Sequence, residues 1–331
     1  MSQPRPKPTP DRLSTPAPFD AAAERVRDVW EQRASRPGRH PPAVGLGGRR
    51  VLTLESRRSP ELALLVMNYG GTPIIAPAVR EVPLDALDHV VAFADQVIAG
   101  RFDLVVFLTG VGVRMMMKAI EPAPGRERFL DALARTRLAA RGPKPVAALR
   151  EVGLSPWVTA PSPNTWRELL TTLDAHRNER TLSGARVALQ EYGSENPDLV
   201  DGLTSRGAAV TTVSIYRWEM PEQLEPLRRA VWSLLRHEID IVVLTASIQL
   251  VHLLRVAGQM GLETRVRSAL HRTVIASIGP MTSEELVRHG LPIDIEPSHP
   301  KMGFLIKEMA EQCDALLQAK RCADSEKNIR T

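Results

Sequence analysis

The residues of this chain best placed for chemistry are small hydroxyls and turn amides rather than strong acids or bases. Thr109 opens Thr109-Gly-Val-Gly-Val-Arg, Ser247 lies in Thr245-Ala-Ser-Ile-Gln, and Thr282 follows Gly279-Pro-Met. Each stands where an apolar run of strand type gives way to a helical pattern, so each hydroxyl can face a ligand or cap its own helix. The Gly279-Pro280 turn has an echo at Gly142-Pro143. Proline suits a helix start, and a glycine closes each following helical stretch, at Gly290 and Gly153. Such a turn leaves backbone amides free, and the partial positive charge of a helix start favours a carboxylate or phosphate there. Tyr216 ends the run Thr212-Val-Ser-Ile-Tyr. A phenol at that point can donate a hydrogen bond or a proton into a cleft, or serve as an amphipathic residue at a hinge.

Familiar catalytic patterns are missing. Gly110-Val-Gly112 begins like a dinucleotide fingerprint, but Met115 occupies the third glycine position, and no phosphate-loop spacing follows. There is no Gly-x-Ser-x-Gly elbow. The eight histidines are scattered without metal spacing, so His289 and His299 read as surface or loop residues. The Met115–Met117 run reads as helix packing. Two cysteines, Cys313 and Cys322, argue against a disulfide framework or zinc site. The formal charge of +5 is mild, and its basic residues lack an aromatic-interleaved patch. That speaks against nucleic acid and suits a polyanionic small molecule. Apolar runs such as Leu62 to Met67 fall far short of a membrane span, and the N-terminal residues do not read as a secretory leader.

The elements that must position these residues come twice. Gly142 and Gly279, Asp103 and Asp240, and Gly70 and Gly207 are each 137 residues apart. Arg50-Val-Leu-Thr-Leu-Glu recurs as Arg186-Val-Ala-Leu-Gln-Glu at an offset of 136. A unit of roughly 120 residues is therefore written twice in the same order. In the first copy we expect strands at 49–56, 72–79 and 102–108, with helices at 59–69, 84–99 and 115–120. The second copy predicts strands at 185–190, 209–216 and 239–244 and helices at 197–206 and 221–235. After the Gly279-Pro280 turn come a strand at 293–296 and a last helix to about Lys320. The alternation predicts an α/β fold of two similar units with mostly parallel sheets and helices on both faces. Ligand loops of such sheets lie at the carboxyl ends of the strands, where the Thr, Ser and Gly-Pro positions fall. Residues 1–47 hold nine of the 27 prolines and read as a mostly disordered arm. Within it, 19–33 could form an isolated amphipathic helix.

Phe107-Leu-Thr-Gly-Val-Gly-Val-Arg114, Val213-Ser-Ile-Tyr-Arg217, Val243-Leu-Thr-Ala-Ser247 and Ala276-Ser-Ile-Gly-Pro-Met-Thr-Ser-Glu-Glu-Leu286, in this order and spacing, resemble the uroporphyrinogen-III synthases. The resemblance covers about residues 48–318. It implies two α/β domains joined by a two-stranded connector, with the active site in the cleft between them. Residues 48–78 with 222–318 would form the first domain and 84–212 the second, with 79–83 and 213–221 as connector and 319–331 as a tail. It also implies closure of hydroxymethylbilane to uroporphyrinogen III with loss of water and inversion of ring D, by a monomeric, cytoplasmic lyase of tetrapyrrole (haem, sirohaem, cobalamin) biosynthesis. No cofactor or metal is implied, and the partners would be the small-molecule substrate and, transiently, hydroxymethylbilane synthase, with no nucleic acid and no membrane.

Carried over residue by residue, the resemblance makes Tyr216 and Thr282 the catalytic candidates. Thr109 and Ser247 would stand on opposite walls of the cleft. Backbone amides of the turns Gly110-Val111-Gly112, Gly193-Ser194 and Gly279-Pro280-Met281 would meet substrate carboxylates, with Arg57, Arg114, Arg141 and Lys144 as cationic candidates. Two departures bear on the side chains. Thr245-Ala-Ser-Ile-Gln lacks the proline and glycine common around that serine, and Met281 stands where a second threonine is common. The alternative from another class is a non-catalytic tetrapyrrole or small-anion sensing domain of a regulatory protein. Such proteins carry a winged helix, and the residues after Lys320 are too few to supply one. A periplasmic-type solute receptor, also two-lobed, would call for a secretory leader.

Overall fold

Short strands with apolar centres alternate with one-sided helices along this chain, and a strand buried on both faces needs helices on both sides. A computed structural model describes residues 45–83, 88–121, 125–178, 181–193 and 195–330. In chain order come β1 (Arg50–Thr53), α1 (Ser59–Asn68), β2 (Thr72–Ile75), β3 (Arg80–Pro83), α2 (Asp88–Ile98), β4 (Leu104–Phe107), α3 (Gly110–Ile120), α4 (Arg126–Arg135), β5 (Arg137–Ala140) and α5 (Pro143–Arg150). A short excursion follows, β6 (Val158–Thr159) and α6 (Trp166–Ala175). Then come β7 (Arg186–Gly193), α7 (Pro197–Thr204), β8 (Ala209–Glu219), α8 (Glu225–Leu235), β9 (Ile241–Leu244), α9 (Ser247–Gln259), α10 (Glu263–Arg272), β10 (Val274–Ser277), α11 (Pro280–Arg288) and α12 (Met302–Arg330).

The strands form a four-stranded sheet, β10-β9-β1-β2, and a six-stranded sheet, β3-β8-β7-β4-β5-β6. All pairings are parallel except β3 with β8, where Arg80 to Pro83 run antiparallel to Glu219 to Tyr216. The two copies of the repeat are interleaved. The first strand pair of copy one (β1, β2) joins the last pair of copy two (β9, β10), and β7 and β8 of copy two join β4 and β5 of copy one. The chain crosses between sheets at β3 and at the end of β8. Two histidines fix these crossings: His252 on α9 bonds the Ala78 carbonyl at 2.7 Å, and His89 on α2 bonds the Ser214 carbonyl at 2.6 Å.

Period-two alternation divides each sheet between two cores. Val105 and Phe107 face α2, α3 and α4, whereas Leu104, Val106 and Leu108 face α6 and α7. In the other sheet Leu52, Val242 and Ile275 face α8 to α11, while Val51, Val243 and Ala276 face α1 and α12. Gly70, Gly153, Gly207 and Gly290 follow α1, α5, α7 and α11 with φ between 68 and 83°, which ends these helices in the left-handed conformation that suits glycine.

Several elements differ from expectation. Helix α3 starts at Gly110 rather than Met115, because Thr109 caps it despite the two glycines in its first turn. Helix α8 starts at Glu225, not Pro221. Residues 293–296 supply a single bridge, Ala276 to Ile295, instead of a strand. Leu46, within the expected arm, is buried against Val66 and Gly71. Helix α12 runs through the expected tail, and Lys320 pairs with Asp294 at 2.8 Å with both side chains largely buried. Helices α4, α6 and α10 were not read from the sequence: charges hide their narrow apolar stripes, such as Phe129, Ala132 and Leu133 on α4. The expected helix at 19–33 lies outside the described residues.

Candidate active site

Tyr216 owes its position to an irregularity in one strand pair. Glu191 pairs with Ser214, but Gly193 pairs with Arg217, so three steps along β8 match two along β7. The extra residue is a β-bulge, which re-aims the side chains beyond it. Ile215 and Tyr216 are consequently both buried, although strict alternation would send them to opposite faces. The Tyr216 hydroxyl lies 3.4 Å from the Thr109 hydroxyl, and Thr109 in turn accepts the Gly112 amide at 3.0 Å. Burial pushes the Tyr216 phenol up to about 12, with Glu81 adding to the rise and the Thr109 hydrogen bond, Arg141 and Arg57 opposing it. The group therefore keeps its proton near neutral pH.

The turn amides are not equally available. Thr109 claims the Gly112 amide, while those of Gly110 and Val111 bond no group among the described residues. Gly279 donates to the Ser277 hydroxyl at 3.4 Å and Pro280 has no N–H, which leaves Met281 as the amide of that turn without a partner among the described residues. Ser277 also bonds Ser283, which reaches Glu296, and this buried chain of hydroxyls holds the start of α11. Thr282 is buried in the first turn of α11, its own amide bonded to the Gly279 carbonyl at 3.0 Å. Ser247 is the first residue of α9, and the Gln249 side chain accepts the amides of Thr245 and Ala246 just before it, at 2.8 and 3.3 Å. Gly193 has φ +64° and lies against the Trp218 ring, so a side chain there has neither the backbone conformation nor the room it needs. Ser194 lies outside the described residues.

The cationic candidates separate into two groups. Arg114 forms a bidentate pair with Glu151 at 2.8 and 2.6 Å on an exposed surface, its guanidinium 3.4 Å from where a Cβ at Gly110 would stand. Arg57 pairs with Glu81 of β3 at 3.4 Å, and both it and Arg141 act on Tyr216 and Lys144. Lys144 still reaches solvent, but surrounding protein and then Arg57, Arg141 and Arg58 hold its ammonium below the ordinary lysine range, with Glu55 opposing. Cations from both sheets thus converge beside Tyr216. Ion pairs also bridge the two sheets' helices: Arg288 of α11 to Asp198 of α7 at 3.1 Å, and Arg167 of α6 to Glu284 of α11. A concavity of about 570 Å³ opens at the bulge, lined by Glu191, Asn196, Ser214, Tyr216 and Arg217 among others.

Sequence reasoning missed Arg58, Gln190, Gln249, Glu55 and Glu191. The last two were detectable, since the 136-residue offset that aligns Arg50 with Arg186 also aligns these glutamates. Among the described residues no group of three or more His, Cys, Asp or Glu is placed to hold a metal ion, and no helix is long and apolar enough to cross a membrane.

Residues 60–307 match the family described as uroporphyrinogen-III synthase HemD. An uncharacterised Bacillus subtilis protein, YjjA, is 30% identical over 81% of this chain and 97% of its own length. A crystal structure of a mutant uroporphyrinogen III synthase from Thermus thermophilus superposes with a TM-score of 0.61 at 29% identity, covering 80% of this chain and 99% of that one. A second crystal form of the Thermus enzyme, wild type, gives 0.50 at the same identity, covering 81% and 99%.

Proposed function

Because the chain belongs to the uroporphyrinogen-III synthase family, we propose that it cyclises hydroxymethylbilane to uroporphyrinogen III, expelling water and inverting ring D. The observation that carries this reading is the Tyr216–Thr109 hydroxyl pair, 3.4 Å apart, with the Tyr216 side chain buried and Arg141 and Arg57 acting on it. Loss of the bilane's terminal hydroxyl needs a proton at the departing oxygen. A phenol held at about 12 is a weak acid. Hydroxide is more basic still, its conjugate acid water having a pKa of about 15.7, so transfer from phenol to departing hydroxide runs downhill. Thr109 keeps the phenol oriented while its own lone pair is committed to α3.

Lys144, Arg57, Arg58 and Arg141, with the amides of Gly110, Val111 and Met281, are assigned to the substrate's carboxylates. Thr282 and Ser247 are assigned to the wall opposite Thr109. In this reading 48–78 with 222–318 and 84–212 are the two domains, and 79–83 with 213–221 the connector. Holding the two ends of a linear chain together can supply about 7–11 kcal/mol of the barrier when orientation is good, which suits a site poor in strong acids and bases. The test is to feed freshly generated hydroxymethylbilane to the protein and separate isomers I and III of the oxidised product. Isomer III should predominate, and Tyr216→Phe and Thr282→Ala should each slow its formation by roughly 10²-fold or more. Isomer I alone, the spontaneous product, would overturn the synthase reading in favour of ligand sensing.

A further inference from the structure

The repeat writes a glutamate at the carboxyl end of the first strand in each copy, Glu55 after β1 and Glu191 within β7. Their sheet registers are equivalent: Val51 pairs with Ile241 as Val187 pairs with Leu104. Their surroundings are not. Glu55 has both oxygens engaged by its own sheet's loops, one by the Thr245 hydroxyl and the other by the Arg58 amide at 3.0 Å. Glu191 has one oxygen held by the Ser214 hydroxyl at 2.7 Å, and the other has no partner among the described residues. It is only 5% exposed, yet it lines the concavity that Tyr216 and Ser214 also line. Glu195 and Asp201 lie along the same concavity, and Arg217 is the one cation among its described lining residues; Lys144, Arg57, Arg58 and Arg141 are not part of that lining, while Arg141 and Arg57 act on the phenol. The site is therefore polarised, with carboxylates predominating in the concavity that Tyr216 lines and a cationic rim outside it.

Resting on the synthase reading, we propose that Glu191 is a further catalytic residue, whose carboxylate faces the pyrrole ring that becomes cationic when the hydroxyl leaves. The electron pair of the breaking C–O bond departs with oxygen, which takes the Tyr216 proton and leaves as water. The ring nitrogen's lone pair completes the azafulvene and places a positive charge on that ring. Carbon–carbon bond formation at the substituted α-carbon of ring D quenches this charge; the older bond from that carbon to its bridge then breaks, its electron pair restoring the ring D pyrrole and leaving an azafulvene cation on the adjoining ring. That cation closes on the other α-carbon of ring D, and the proton lost from that carbon as the pyrrole is restored returns to the Tyr216 phenolate. A carboxylate fixed by Ser214 before the reaction stabilises the cation without reorganising, which is where preorganised charges act most strongly. The carboxylate-bearing periphery of the substrate stays on the cationic rim, so the same charge does not repel the bound ground state.

The experiment is steady-state assay of hydroxymethylbilane turnover with isomer analysis for the unmodified chain, Glu191→Gln and Ser214→Ala, each checked for cooperative melting. Removing the charge should lower kcat roughly tenfold or more with KM nearly unchanged, and should raise the share of isomer I as released cation closes in solution. Ser214→Ala should lower kcat in the same direction by less, and it carries the test alone if Glu191→Gln does not fold. Variants that turn over like the unmodified chain, or that raise KM alone, would overturn the role of Glu191 while leaving the synthase reading intact. An unmodified chain that gives only isomer I overturns both.

Discussion

Tyr216 is one of three tyrosines in the chain, so its ionisation can be isolated by difference. Its folded value of about 12 lies above the ordinary 10.0, which favours the neutral phenol in the fold. The stability linked to it is therefore complete below pH 10 and is lost as the pH rises toward 12. Subtracting the phenolate absorbance titration of Tyr216→Phe from that of the unmodified chain should give a single late step near 12. A step near 10 would place the phenol in solvent and remove the physical basis of its assignment. Burial, not the Thr109 bond, sets this value, and burial is what a sequence states least directly.

At the scale of the element, the two strand-to-helix turns satisfy their amides by reciprocal means. In the six-stranded sheet Gln190 of β7 supplies the amide and Gly112 of α3 leaves it room, since a Cβ at Gly112 would fall within the glutamine side chain. In the other sheet the equivalent strand residue is buried Leu54, and α9 supplies Gln249 itself. Glutamine and small or apolar partner have exchanged places across the same contact. Gly112→Ala should therefore destabilise the fold by about 1–3 kcal/mol through overpacking. Gln190→Ala introduced with it should recover part of that loss, read as the shift of the urea midpoint. Additive losses would mean that the two residues do not compete for this space. The pairing was invisible in the sequence because Gln190 and Gly112 meet only across β7 and α3.

For the whole molecule, the interleaved repeat decides what can fold alone. A fragment of residues 184–331 carries β7, β8, β9 and β10, which belong to two different sheets. It should show no cooperative thermal transition by circular dichroism, whereas residues 45–78 linked to 220–330 should melt cooperatively as the four-stranded unit. A cooperative transition from the first fragment would contradict that dependence. The ion pairs between the two sheets' helices are exposed, and such pairs contribute only about 0–1 kcal/mol each and are screened by salt. Asp198→Ala with Glu284→Ala should leave the melting temperature nearly unchanged while increasing the radius of gyration by small-angle scattering. An unaltered radius would show that closure rests on other contacts. His252 reports on the crossing it anchors. Desolvation lowers its pKa below 6.5 despite the Ala78 bond, so the unfolded chain takes up a proton first as the pH falls. Stability should drop on acidification through and below pH 6.5, and His252→Asn should flatten that part of the urea-midpoint profile.

The alternation of strands and helices, the duplication, the Gly-Pro turns and the family pattern around Tyr216 and Thr282 are legible in the sequence. These are local or periodic properties: apolar spacing, turn chemistry and a residue order that repeats. The equal offsets are compatible with two separate or two exchanged units; the resemblance implied exchange, and the tertiary structure shows each sheet drawing strands from both copies. It also decided that a bulge on β8 turns Tyr216 toward Thr109, that Arg114 is paired with Glu151, and that Arg58 joins Arg57 and Arg141 beside Lys144. The two glutamates share one place in the repeat, and only packing made one of them a structural clamp and left the other facing the concavity. What separates them is which hydroxyls and amides the rest of the chain brings within hydrogen-bond reach, and that depends on contacts between residues far apart in sequence.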